Sequence, residues 1–308
     1  MIGTQARVLG SSALDRWPVN RGRRLILVNS NFSDSNRGCN LMSNGHSENL
    51  YEFHPGRLPL LISFPHSGDW IPEDLRLRMT PAGQSSHDTD WFLPQLYRIH
   101  ELTHVSSIIA RPSRYVIDLN RSPDGQSLYP GQATTGLCPE ITFGRKPIYV
   151  NDAQPQDAEV EQRKRQYWQP YHHQLQLELE RLIGIHGKVV LLDAHSIASR
   201  VPMLFDGVLT DFNMGTQHGA TCEPALSSQV QQFCDGLPGY SHADNGRFIG
   251  GYITRHYGQM PLVNSLQLEL SQATYMDESD LSWELERADR VAREIRRLIE
   301  ILLDWSTR

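Results

Sequence analysis

Two histidines in this chain stand directly behind apolar runs, where a sheet would deliver them to one place. Pro65-His66-Ser67-Gly68 follows Leu60-Leu61-Ile62-Ser63-Phe64, and Asp193-Ala194-His195-Ser196 follows Val189-Val190-Leu191-Leu192. Neutral imidazole is a common metal ligand, and zinc accepts histidine nitrogen together with carboxylate oxygen. A catalytic zinc takes three protein ligands and keeps one position open for water. The third ligand must be a carboxylate or another histidine. Asp88 is the preferred one and Asp90 the next, both in His87-Asp88-Thr89-Asp90-Trp91; Asp69, three residues after His66, is an alternative. Each residue also has a plainer explanation. A lone histidine at a strand end is more often a hydrogen-bonded structural residue, Asp88 could cap a helix, and Asp193 could orient its neighbours. Two histidines, each behind a buried strand and each followed by a serine, shift the balance toward a metal.

Arginines and one glutamate complete the set. Arg114 and Arg121 bracket Tyr115-Val116-Ile117-Asp118-Leu119-Asn120, and a Pro-Asp-Gly turn follows. Arginine binds carboxylates through two parallel hydrogen bonds and can polarise a carbonyl, although most arginines only form surface ion pairs. The glycine-punctuated stretch from Asn245 to Gly258 adds Arg247 and Arg255. It does not follow a strand and open a helix as a phosphate loop would, so its glycines are read as room for a small ligand. Glu269, in Leu266-Gln267-Leu268-Glu269-Leu270-Ser271, alternates onto the face opposite the leucines. A carboxylate there could take a proton from a metal-activated water and pass it to a leaving amine. The alternative for a lone glutamate is a solvated strand face. Ser67 and Ser196 adjoin the histidines, but no GxSxG elbow is present, so a serine hydrolase carries little weight.

These residues need a scaffold that brings strand ends together. Residues 60–64, 105–110, 115–119, 189–192 and 265–270 read as strands. Residues 160–183 read as a long helix with Tyr167, Tyr171, Leu175, Leu179 and Leu182 on one face, kinked at Pro170. Residues 222–233 and 281–305 read as further helices, and Asp88 as the cap of a helix carrying Trp91, Leu93, Leu96 and Tyr97. Alternating strands and helices imply an α/β sandwich with a mixed, mostly parallel sheet, in which ligands bind beyond the carboxyl ends of the strands.

The bulk numbers agree. The chain of 308 residues, 39% hydrophobic and 21% charged, is long enough for one large domain. A net charge of −6 gives no sign of a nucleic-acid binder. Cys39, Cys138, Cys222 and Cys234 form no CxxC pair and read as scattered reduced thiols. The absence of a membrane-length apolar run and of a secretory leader points to the cytoplasm. Residues 1–49, rich in Ser, Asn, Arg and Gly, read as a poorly ordered extension before a domain over 50–308, with Met42 a possible natural start.

Taken in order, Pro65 to Gly68, Asp88-Thr89-Asp90-Trp91, Ser113 to Arg121, Asp193 to Ser196, Asn245 to Gly258 and Leu268-Glu269-Leu270-Ser271 resemble the N-formylglutamate amidohydrolase family. Each motif alone is weak; the ordered set is specific. The resemblance implies a three-layer fold similar to zinc carboxypeptidases and aspartoacylase. It implies His66 and His195 as zinc ligands, Glu269 as general base and acid, and Asn120 with Arg121 as the pair holding a substrate carboxylate. Zinc carboxypeptidases place a glutamate three residues after the first histidine; here that position is Asp69, and the deformylase resemblance favours the Asp88 segment. The implied reaction is hydrolysis of N-formyl-L-glutamate to glutamate and formate, the last step of one histidine-degradation route. Arg114 would steady the oxyanion, while Arg121, Arg247 and Arg255 suit a substrate with two carboxylates. Other N-acyl amino acid hydrolases, a carboxypeptidase-like peptidase and a non-catalytic dicarboxylate-binding protein are the competing expectations.

Overall fold

The computed structural model describes residues 50–125 and 135–308; the extension expected over residues 1–49 lies outside them. Its main sheet is built from β1 (Tyr51–His54), β2 (Leu60–Phe64), β3 (Ser106–Ala110), β4 (Val189–Ile197), β5 (Phe212–Gly215), β6 (His242–Asp244) and β7 (Val263–Ser271). The spatial order is β1-β3-β2-β4-β7-β5-β6. Neighbours run parallel from β3 through β2 and β4 to β7, and between β5 and β6. β1 on β3 and β5 on β7 are antiparallel. This is the mixed, mostly parallel sheet the sequence implies. Every residue of β2, β4 and β7 is buried, as expected of strands covered on both faces.

The coverings are helical. Single turns α1 (Glu73–Arg76), α2 (Pro81–Gln84) and α3 (Leu93–Leu96) precede α4 (Asp157–Arg163), α5 (Gln169–His186), α6 (Pro224–Asp235), α7 (Tyr252–Tyr257) and α8 (Leu285–Ser306). Tyr171, Leu175, Leu179 and Leu182 of α5 pack with Val189, Leu191 and Val263 on one sheet face. α8 lies against β2 and β4 from the other side, in contact with α3 and α6. Helices, sheet and helices make the three layers. The long helix expected over residues 160–183 is realised as α4, a π turn over Lys164–Trp168, and α5. Pro170, which lacks an N–H, sits in the first positions of α5 just after the π turn, where a proline is tolerated. α5 ends at Gly187 in the left-handed region, φ 81°.

Two expectations fail. Asp88 caps no helix: α3 starts at Leu93 after Phe92 turns left-handed at φ 61°, and the Asp88 carboxylate accepts the Phe143 N–H at 2.7 Å. Residues 115–119 form turns, not a strand. The Val116 N–H donates to the Ser113 carbonyl at 2.9 Å and the Asp118 N–H to the Leu137 carbonyl at 2.7 Å. The apolar residues of this segment serve two cores. Tyr115 and Val116 join Ile71, Leu75 and Ile148, while Ile117 and Leu119 join the α5 core. Burial on two sides gives a short turn segment the same apolar signature as a covered strand.

Candidate active site

β4 and β7 pair in a register that sets Asp193 beside Gln267 and His195 beside Glu269. Strand alternation puts these four side chains on the face that carries Val189, Leu191 and Val263 at its other end. All four are buried. His66 follows β2, the other neighbour of β4, and its ring centroid lies 4.9 Å from that of His195.

Each imidazole is held at Nε2 by a carboxylate. Asp118 Oδ1 is 2.6 Å from His66 Nε2, and Asp193 Oδ2 is 3.0 Å from His195 Nε2. Both Nδ1 atoms then face Asp90 Oδ2, at 3.8 Å for His66 and 3.1 Å for His195. Among the described residues, His66, Asp90 and His195 form the group that could hold a metal ion, with ligand atoms within 4.8 Å of one another. The donor set fits a divalent cation. A histidine that gives its far nitrogen to a carboxylate presents the other lone pair to a metal. Asp90 Oδ1 is buried without a hydrogen-bond partner, and so is Asp193 Oδ1.

The favoured carboxylate therefore changes. Asp90, the second choice from sequence, stands between the imidazoles because its N–H donates to the His66 carbonyl at 3.0 Å. Asp88 is turned toward the Phe143 backbone instead. Asp69 lines a separate cavity with Ser67, Trp70 and Arg111. Ser196 alternates to the opposite side of β4 from His195, and its Oγ lies 2.8 Å from the Tyr275 hydroxyl. That removes the geometry a serine nucleophile would need.

Charge is concentrated here. Burial alone would depress His195, but Asp193 and Asp90 outweigh it and raise its pKa well above the usual imidazole value. Burial and the Arg114 charge lower His66 despite Asp118 and Asp90. Burial would raise Asp118, yet Arg121, His66 and Arg114 hold it well below the usual carboxylate range. Burial pushes the Glu269 carboxyl up to about 8, with His195 opposing and Asp90 adding to the shift.

A cleft opens over these groups, lined also by Arg114, Arg121, Arg247, Phe143 and Phe248. Arg114 Nη2 donates to Asp118 Oδ2 at 2.9 Å, its Nη1 lies 3.8 Å from Asp90 Oδ1, and its guanidinium sits over the Phe143 ring. Arg121 Nε donates to the Thr135 carbonyl, and Arg247 Nε to the Leu204 carbonyl. Arg255, on α7, does not line the cavity. Asn120, expected to meet a substrate carboxylate, directs its amide nitrogen at Asp193 Oδ2 (3.0 Å) and His195 Nε2 (2.9 Å). Asp118 and Gln267 were not singled out from sequence. The usable signal for Asp118 was a carboxylate inside an apolar run, which must be paired if buried. Gln267 had only its place two residues before Glu269.

Known proteins resemble this chain over most of its length. A family model described as N-formylglutamate amidohydrolase matches residues 58–276. The N-formylglutamate deformylases of Pseudomonas putida and Pseudomonas aeruginosa are each 44% identical to this chain over 260 residues, covering 84% of it and 97% of themselves. A crystal structure of N-formylglutamate amidohydrolase from Ralstonia eutropha JMP134 superposes with a TM-score of 0.68 at 26% identity, covering 83% of this chain and 96% of that one.

Proposed function

The chain belongs to the N-formylglutamate amidohydrolase family, and from that premise we propose that its buried cluster hydrolyses N-formyl-L-glutamate to L-glutamate and formate. The observation that carries the reading is the convergence of both imidazole Nδ1 atoms on Asp90, with Glu269 in register beside His195. His66, Asp90 and His195 would hold the metal, with zinc the best match to two nitrogens and one carboxylate. When bound, the ion supplies Lewis-acid polarisation of the formyl carbonyl and lowers the pKa of water.

The remaining steps belong to the chain's own residues. Asp118 and Asp193 hold the imidazoles in the tautomer that exposes Nδ1. Glu269 accepts a proton from the attacking water and returns it to the departing nitrogen. Burial raises the Glu269 carboxyl above the usual carboxylate range, which favours its holding that proton until the nitrogen departs. Arg114, beside Asp90 at the cavity wall, steadies the negative charge that develops on the formyl oxygen. Arg121 and Arg247 line the same cavity and suit the two substrate carboxylates. Among the described residues no helix is long and apolar enough to cross a membrane, and a cytoplasmic setting for a step of histidine degradation is part of the proposal.

The test is metal content measured alongside formate release from N-formylglutamate, with N-acetylated and peptidyl glutamate as competitors. We expect one bound divalent ion per chain and release of formate in preference to the other acyl groups. Asp90→Asn should lose the ion and Asp88→Asn should keep it. Turnover by the metal-free protein would sink the mechanism.

A further inference from the structure

One backbone turn touches both sides of the cluster. At the entry to α7, the Gly251 N–H donates to Gln267 Oε1 at 2.7 Å and the Ile253 N–H donates to Asn120 Oδ1 at 2.8 Å. A backbone N–H can meet only the oxygen of a carboxamide, so each contact fixes which end of the amide points onward. The two freed NH2 groups go to opposite halves of the site. Gln267 Nε2 donates to Glu269 Oε2 at 3.1 Å, and Asn120 Nδ2 reaches Asp193 Oδ2 and His195 Nε2. Both amides are buried.

The turn has no room for a side chain. A Cβ on Gly251 would lie 2.3 Å from Asn120 Nδ2 and 2.6 Å from its Cγ and Oδ1. Gly250 before it holds φ 112°, in the region that favours glycine. The close approach is what lets the two N–H groups reach two amides on different segments.

We propose that Gly251 and Ile253 form a positioning template that aims Gln267 at Glu269 and Asn120 at the Asp193–His195 pair, so that Gln267 and Asn120 are positioning residues for the base and for the metal side. The inference rests on the reading of Glu269 as proton carrier and His195 as ligand. Gln267 leaves Glu269 Oε1 as the oxygen available to water. Asn120 donates to Asp193 Oδ2, the oxygen that faces His195 Nε2, and through it holds the plane of the ring.

Three variants separate the two arms, with Gly184→Ala, on an exposed stretch of α5 with nothing within 4 Å, as the control. Gln267→Met should lower kcat about 10-fold or more, with KM and zinc retention unchanged. Asn120→Ala should weaken zinc retention against a chelator about 10- to 100-fold. Gly251→Ala should do both, since a shift of ~1 Å in a reacting group can cost about 100-fold in rate. Recorded on the metal-free protein, the His195 ring-nitrogen NMR shifts give a readout independent of turnover and of zinc occupancy, and should move in Asn120→Ala and Gly251→Ala only. Wild-type kcat in Gln267→Met, or unmoved His195 shifts in Asn120→Ala, would overturn the proposal, whether or not Gly251→Ala folds. Absence of formate release from the unaltered protein would instead remove the functional reading, leaving the ring shifts and zinc retention to decide this one.

Discussion

The same sheet face behaves in two ways along β4 and β7. At the amino end, Val189, Leu191 and Val263 pack against Leu175, Leu179 and Leu182 of α5. At the carboxyl end, Asp193, His195, Gln267 and Glu269 occupy equivalent alternate positions and are just as buried. The first half is stabilised by removing apolar surface from water, about 25 cal/mol per Å². The second half gains nothing of that kind, because a buried polar group is tolerated only when hydrogen-bonded and a buried charge only when paired. The lesson is that one register serves stability at one end and chemistry at the other, with a few residues separating them.

Substitutions should fall on one side or the other of that division. The largest effect is expected at the polar end. His195→Ala should abolish metal retention and formate release together, read by metal analysis and a formate assay. Glu269→Gln should keep the ion and lower kcat by about 10²- to 10⁴-fold, the usual scale for a lost acid–base group. At the apolar end, Leu191→Ala should cost about 2–5 kcal/mol of stability in denaturant unfolding, with kcat of the folded fraction unchanged. A fall in kcat there without loss of stability would break the comparison.

The smallest effect at neutral pH concerns His172, which lies among Trp168, Tyr257 and Leu119 of the apolar core. Its Nε2 lies 2.8 Å from the Leu119 carbonyl and its Nδ1 3.0 Å from the Tyr257 hydroxyl, and its ring stacks on Trp168. Burial lowers its pKa from 6.5 to about 3. The unfolded chain therefore binds this proton more readily than the folded one. Stability from this group is intact above pH 6.5 and falls as the pH drops toward 3, with a slope of up to ~1.4 kcal/mol per pH unit. His172→Gln should flatten that part of the stability profile.

The polar end also shows why the sequence left the carboxylate of the candidate metal group open among Asp88, Asp90 and Asp69. His66, His195 and Glu269 were legible because each sits in, or two residues after, a strongly patterned strand. Asp90 was harder. It shares with Asp88 a short segment between β2 and α3 with no periodicity, and nothing local says which carboxylate turns inward. The Arg114 to Arg121 segment misled for the opposite reason: its apolar content looked like a strand, while the structure uses it as turns that bring Asp118 to His66.

From its sequence alone this chain determined the central strands β2, β3, β4 and β7, the helices α5, α6 and α8, the mostly parallel sheet, and the two histidines and glutamate at the carboxyl ends of its strands. Those follow from periodic burial, a local property of the residues. The tertiary structure alone decided that Asp90 faces the imidazoles, that Asn120 supports His195, that Arg255 stays outside the cavity, and that the Gly251 turn reaches two amides at once. Those depend on contacts between segments far apart in the chain, such as the Asp90 N–H to the His66 carbonyl and the Ile253 N–H to Asn120. Local pattern carries no information about such partners, because their geometry is set only when the layers close around the sheet.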